Sequence, residues 1–166
     1  MQLIFKIPGE PKGKGRPRFA RKGSYVHTYT PDSTAAYEEK VKRCYYQQCG
    51  NRNYFDKDEM LQVHILAKYP IPKSISQKKR GMMIAHRLRP VVKPDADNII
   101  KIVCDALNGI AYGDDKQIVD AHFHKIYSTE PGVQVMICTA GDFIEGGSPW
   151  ETKAENEQAF FDFVRG

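Results

Sequence analysis

The sequence predicts an α+β fold, a single domain in which helices pack on one face of a mixed β-sheet to make a two-layer sandwich. Three observations carry this prediction. Helical and strand-like stretches alternate without the strict β-α-β period of a doubly wound sheet. Two strand-like stretches follow one another at residues 118–127 and 133–140, separated by the turn signal Glu130-Pro131-Gly132. The chain has 166 residues, 41% of them hydrophobic and 27% charged, which suits one domain with an ordinary core and argues against wholesale disorder.

The elements follow in order. Residues 2–7, QLIFKI, form a first strand, and a loop rich in Gly, Pro and basic residues occupies 8–24. Tyr25, His27 and Tyr29 alternate with Val26 and Thr28, which predicts a short strand hairpinned with residues 18–20. Asp32 or Ser33 is a suitable N-cap for a helix to about Gln48, with Ala36, Val41, Cys44 and Tyr45 as its buried stripe and Gly50 and Asn51 as its stop. Residues 60–69 alternate well enough for a central strand, which Pro70 and Pro72 end. Ser74 or Ser76 caps a short basic helix to about His86, and Asp97 caps another to Leu107. The 118–127 and 133–140 strands then read as an antiparallel hairpin. The domain is expected over 1–141, with an acidic tail at 142–166 that could form a helix burying Phe160, Phe161 and Phe163.

Composition also excludes. No apolar run approaches the ~18 residues of a membrane span, so no membrane association is expected. The first residues lack both the apolar length and the cleavage site of a signal peptide, which points to the cytoplasm. Cys44, Cys49, Cys104 and Cys138 form no CxxC pair and read as reduced thiols rather than as a zinc site. The Gly13-Lys14-Gly15 stretch fails the spacing of a phosphate loop. His122 and His124 share one face of a strand and read as surface side chains. Tyr25, Tyr29, Tyr45 and Tyr46 read as packing residues rather than base-stacking platforms.

Net charge is only +5, but it is unevenly placed. Residues 1–93 carry 20 Lys/Arg against 7 Asp/Glu, a net of +13, and residues 94–166 carry 5 against 13, a net of −8. The positive half is concentrated in two stretches. One contains Lys6, Lys12, Lys14, Arg16, Arg18, Arg21 and Lys22. The other runs from Lys73 to Lys93 with no acid and includes Lys78, Lys79 and Arg80. Two such stretches beside an acidic half suit a footprint on a phosphate backbone.

The acids themselves are ordered. In KPDADNIIKIVCDALNGIAYGDDKQI, residues 93–118, Asp95 and Asp97 flank one Ala, and Asp97, Lys101 and Asp105 fall on one helical face. Asp114 and Asp115 follow in a loop. Carboxylates held close repel unless a cation sits between them, and Mg2+, with its preference for oxygen ligands and retained waters, resolves the conflict. A lysine one turn away can neutralise charge that develops on a phosphate. Together these imply metal-assisted phosphodiester hydrolysis. Each residue also has a structural explanation: Asp97 as a cap, Asp105 paired with Lys101, and Asp114-Asp115 as a turn.

The order Pro94-Asp95, Asp97-Asn98, Lys101, Asp105-Ala106-Leu107, Asp114-Asp115 and Gln117-Ile118-Val119, with the basic opening from Pro8 to Phe19, resembles the RusA family of Holliday junction resolvases. The resemblance spans roughly residues 3 to 140. It implies a homodimeric, Mg2+-dependent endodeoxyribonuclease, with Mn2+ able to substitute, that nicks four-way DNA junctions symmetrically. It further implies that Asp95, Asp97 and Asp115 hold metal, with Asp114 as a further ligand or support, and that Lys101 is catalytic. The DNA-binding set would be Lys12, Lys14, Arg16, Arg18, Lys78, Lys79 and Arg80. Two alternatives compete: a non-catalytic protein that binds branched DNA, and a metal-dependent nuclease for flaps or other nucleic acid.

Overall fold

A computed structural model of the chain describes residues 1–16, 18–22, 25–29, 31–50 and 55–140. Four strands form one sheet in the order β1-β6-β4-β5, and a separate two-stranded ribbon pairs β2 with β3. Strand β1 (Gln2–Pro8) buries Leu3, Phe5 and Ile7 in the period of two expected of a strand with one face on the core. The ribbon, β2 (Arg18–Lys22) and β3 (Tyr25–Tyr29), is the short hairpin that the sequence predicts.

Helix α1 (Asp32–Cys49) buries Thr34, Tyr37, Val41, Cys44 and Tyr45, a helical stripe that lies against β1. Ala36 is exposed, one position off that stripe, and Tyr37 fills the inward place expected for it. The N-cap is Pro31 rather than Asp32 or Ser33, and Gly50, at φ 85°, stops the helix. Phe5 and Tyr45 meet edge to face at 5.8 Å and fix α1 to the first strand.

Strand β4 (Leu61–Pro70) is central in the sheet, with β5 parallel on one side and β6 antiparallel on the other, and it is buried on both faces from Leu61 to Ala67. Leu61, Val63, Ile65 and Ala67 join the core under the helices, and Gln62, His64 and Leu66 turn to the opposite face. Helix α2 (Gln77–Ile84) begins at Ser76, whose hydroxyl accepts from the Lys79 N–H at 3.4 Å, and packs near β5 through buried Met83. Helix α3 (Ala96–Leu107) buries Ile99, Ile102, Val103, Ala106 and Leu107 and packs on α1. Each of the Ile, Val and Leu side chains contributes about 1.5–3 kcal/mol of burial.

The expected antiparallel hairpin at 118–140 does not form. Strands β5 (Ile118–Ser128) and β6 (Gly132–Thr139) flank β4 instead of each other. The three residues between them cross the end of β4. Strands two places apart lie about 9.6 Å from each other, which three residues can span. Thr129-Glu130-Pro131 therefore builds a strap that leads into Gly132, and a turn signal does not distinguish a strap from a hairpin. Gly132 is needed there because a Cβ would stand 2.9 Å from the Ile7 carbonyl oxygen.

Candidate functional site

The site begins where α3 begins. Asp95, not Asp97, occupies the N-cap, with φ −71° and ψ 156°, and Asp97 lies inside the first turn. The Asp95 side chain makes no capping hydrogen bond, and its carboxylate is exposed. Its backbone is held on both sides. The Asp95 carbonyl accepts from the Ile99 N–H at 3.2 Å. The carbonyl of the preceding Pro94 accepts from Lys125 Nζ at 2.6 Å and from the Tyr69 hydroxyl at 3.1 Å. Lys125 also donates to the Val92 carbonyl at 2.7 Å and lies 5.3 Å from the centre of the Tyr69 ring. Burial, with a further push from the Asp95 charge, raises the Tyr69 phenol to about 12, so it is a neutral donor at physiological pH.

The basic N-terminal loop is pressed against this turn. A Cβ on Gly13 would stand 2.8 Å from Pro94 Cβ and 2.9 Å from Asn98 Cβ, so only glycine lets the loop approach. The Lys14 N–H then donates to the Asn98 carbonyl at 2.8 Å, and the Gly15 N–H donates to Thr34 Oγ1 at 3.2 Å. The loop is thereby stitched to the first turns of both α3 and α1. Between them opens a cleft of about 720 Å³, lined by Lys12, Gly13, Lys14, Arg16, Lys93, Asp95 and Asn98 among others. Lys12, Arg16 and Lys93 are exposed there.

Lys14, expected on DNA, is tied to protein carboxylates. Its ammonium pairs with Glu38 of α1 and, at 2.9 Å, with Asp105 of α3. Burial opposes its charge, but the hydrogen bonds it donates to the two carboxylates outweigh that and raise its pKa. The pairing expected between Asp105 and Lys101 is replaced by this bridge, and Lys101 stands exposed on α3.

The second acidic segment is built locally. Asp114 caps a single 3-10 turn, Asp115–Gln117, and its Oδ1 accepts from the Lys116 N–H at 2.9 Å. The buried Gln117 side chain closes a capping box. It accepts from the Gly113 and Asp114 N–H groups at 2.9 and 3.2 Å and donates to the Asp56 and Glu59 carbonyls at 2.7 and 3.2 Å. One oxygen of Asp114 is thus occupied, while Asp115 is exposed in the first turn. The Asp115 charge is felt, with that of Asp105, at Cys104 and Tyr112, whose hydroxyl donates to the Cys104 carbonyl at 2.9 Å. Burial first, and these charges after it, raise the Cys104 thiol to about 12 and the Tyr112 phenol as well.

The aspartates therefore fall into two groups, one at the start of α3 and one on the loop beside its last turns. Among the described residues no three His, Cys, Asp or Glu side chains stand together as a ready-made metal cage. The comparison with known proteins decides the family. Residues 8–138 match the family model for endodeoxyribonuclease RusA, and that span contains both acidic groups and the basic loop. The chain belongs to the RusA endodeoxyribonuclease family. It is also 37% identical over 137 residues to an uncharacterized protein of Bacillus subtilis (strain 168), YqaN, covering 81% of this chain and 94% of that one.

Other residues of this RusA-family chain are placed as follows. Lys78, Lys79 and Arg80 lie on α2, with both lysines exposed, outside the lining of the cleft. Arg18 pairs through its backbone with Tyr29, and its side chain is outside the described residues, as is the whole tail at 142–166. Tyr45 is buried and Tyr46 meets it edge to face, while the side chains of Tyr25 and Tyr29 are outside the description. His122 and His124 are half-buried rather than on the surface, and His64 stacks on His122 with centroids 4.5 Å apart. Burial first, then the two neighbouring histidines, lowers His64 to about 4 against the opposing pull of Asp120. Sequence reasoning counted Lys93 as basic without placing it in the site, quoted Asn98 only as part of the family motif, and missed Tyr69 and Lys125. The position of Lys93 directly before Pro94-Asp95 was the available signal, whereas Lys125 and Tyr69 come from strands with no motif around them.

Proposed function

We propose that this member of the RusA family is a Mg2+-dependent, structure-selective endonuclease that resolves four-way DNA junctions as a symmetric dimer in the cytoplasm. The observation that supports this most is the cleft that the exposed Asp95 carboxylate shares with Lys12, Arg16 and Lys93. In this reading those three cations hold backbone phosphates, which fixes register on the duplex and reads shape more than sequence.

The donor set fits magnesium. Asp95 and Asp97 are exposed, acceptor-only carboxylates two residues apart, and Mg2+ commonly takes one or two carboxylates, substrate phosphate and several waters rather than a full protein cage. Asp115, with no capping duty, is the member of the acidic pair free to join them, and Mn2+ has similar ligand needs. When bound, the ion would offset charge on the scissile phosphate and favour deprotonation of an attacking water. Lys101, one turn along α3 from Asp97, would neutralise charge developing on the phosphate or the leaving oxygen. Lys14 belongs to the frame, and a two-fold dimer would present two such clefts to the two strands that must be nicked.

The test is cleavage of a synthetic four-way junction with and without Mg2+, beside linear duplex and a flap, with Asp95→Asn as control. Paired, Mg2+-dependent nicks confined to the junction support the proposal, and Asp95→Asn should bind the junction without cutting it. Tight binding with no nicking by the wild type would make the protein a branched-DNA binder. Preferential flap cleavage would change the substrate, and a monomer on sedimentation with the junction would remove the dimer.

A further inference from the structure

We propose that Lys125 and Tyr69 are positioning residues that preset the Asp95 carboxylate for its cation. This inference rests on the assignment of Asp95 to metal. The Pro94 carbonyl that both side chains hold belongs to the same planar peptide as the Asp95 nitrogen. Fixing that oxygen fixes the plane, and with it the axis about which Asp95 φ turns. On the other side, the Asp95 carbonyl is held by the Ile99 N–H, which fixes the plane that sets ψ. Both peptide planes flanking the Asp95 Cα are therefore pinned, and only the two side-chain torsions remain free.

The geometry has further support. Gly13 closes on Pro94 from the basic loop, a third contact at the residue the two donors hold. Lys125 is half-buried, and its ammonium is committed to two backbone carbonyls, Val92 and Pro94, with no carboxylate partner among the described residues. A cation spent on neutral carbonyls one residue from an exposed carboxylate is a costly arrangement for packing alone, since an apolar residue could fill the same space. It does serve to hold a chain turn against the repulsion that builds when Asp95 and Asp97 are both ionised. Groups that orient a ligating carboxylate typically change metal affinity 10–100-fold when removed.

The experiment measures metal binding to the free protein, without DNA, by titrating Mn2+ and following water proton relaxation, beside the Mg2+ dependence of junction cleavage. Lys125→Met should weaken Mn2+ binding about tenfold or more and shift the Mg2+ midpoint of cleavage upward by a similar factor. Junction affinity in the absence of metal should be unchanged, and Lys125→Arg should recover much of the loss. Tyr69→Phe removes one donor without changing shape, so it should shift both midpoints in the same direction by less. It also carries the test if Lys125→Met fails to fold. Unchanged Mn2+ affinity in folded Lys125→Met, or in Tyr69→Phe where Lys125→Met is lost, overturns the proposal provided that Asp95→Asn binds Mn2+ weakly. Loss of junction affinity without loss of metal affinity would also overturn it and make Lys125 a DNA contact. If Asp95→Asn binds Mn2+ as the wild type does, the metal assignment itself has failed.

Discussion

The two acidic segments of this chain carry similar residues and are held by opposite means. Around Asp95, nearly every restraint arrives from elsewhere: Lys125 and Tyr69 from the sheet, and Gly13 and Lys14 from the N-terminal loop. Around Asp115, the closest restraint is local, a capping box between Asp114 and Gln117 that is then anchored to residues 56–59. The first arrangement leaves its carboxylate free because tertiary contacts do the shaping. The second uses one carboxylate to shape the turn and leaves its neighbour available. Doubled aspartates in such a loop can thus divide the work between geometry and chemistry.

The largest effect expected from breaking this symmetry is catalytic. Lys101→Ala should lower the cleavage rate on the order of 10²–10³-fold while changing junction affinity much less, because the contact proposed for it is made mainly in the transition state. Equal losses in rate and affinity, measured by single-turnover cleavage and a binding titration, would recast it as a DNA grip. Next is the tertiary half of the comparison. Gly13→Ala should destabilise the fold by about 1–3 kcal/mol and raise the Kd for the junction, since the added Cβ must push Pro94 and Asn98 away. An unchanged urea midpoint would show that the loop is not seated as described.

The local half gives smaller and separable effects. Asp114→Ala should cost about 1 kcal/mol in urea denaturation and keep measurable cleavage, whereas Asp115→Asn should keep stability and lose cleavage. Exchange of those two outcomes would reverse the roles given to the pair. The last effect is on pH. The tertiary half leans on β4 and β5, whose contact includes the His64–His122 stack. His64 takes up its proton near pH 4 when folded and near 6.5 when unfolded, so the unfolded chain binds more protons between those values. Stability should therefore fall as pH falls from 6.5 toward 4, and His64→Gln should flatten that part of the urea-midpoint profile.

What the sequence discloses follows the same division. Asp114 and Gln117 stand three apart, a capping spacing visible to any reader, and the Asp95–Asp97–Lys101 order is equally local. The strand of residues 60–69, the ribbon and the three helices were also legible, since each is a short-range pattern of apolar spacing and stop signals. Lys125 was not legible, because its partners lie 33 and 31 residues away and nothing beside it in β5 marks it. The double pairing of Lys14 was hidden for a related reason. A lysine in a basic run gives no sign that two acids, from α1 and α3, will close on it. The β5–β6 pairing failed because the insertion of β4 is a decision made by distant strands.

The same insertion bears on how the protein is made. During translation both the basic loop and Asp95 leave the ribosome before β5 exists, and β4 leaves before either of its partners. The nascent chain thus carries its acids and cations for some time without the strand that frames them. Lys125 can reach Pro94 only after β5 has emerged, and the sheet closes around β4 only when residues up to Thr139 have. A polypeptide interrupted before that point would hold most of the chemistry of a DNA-cutting enzyme in a form unable to use it.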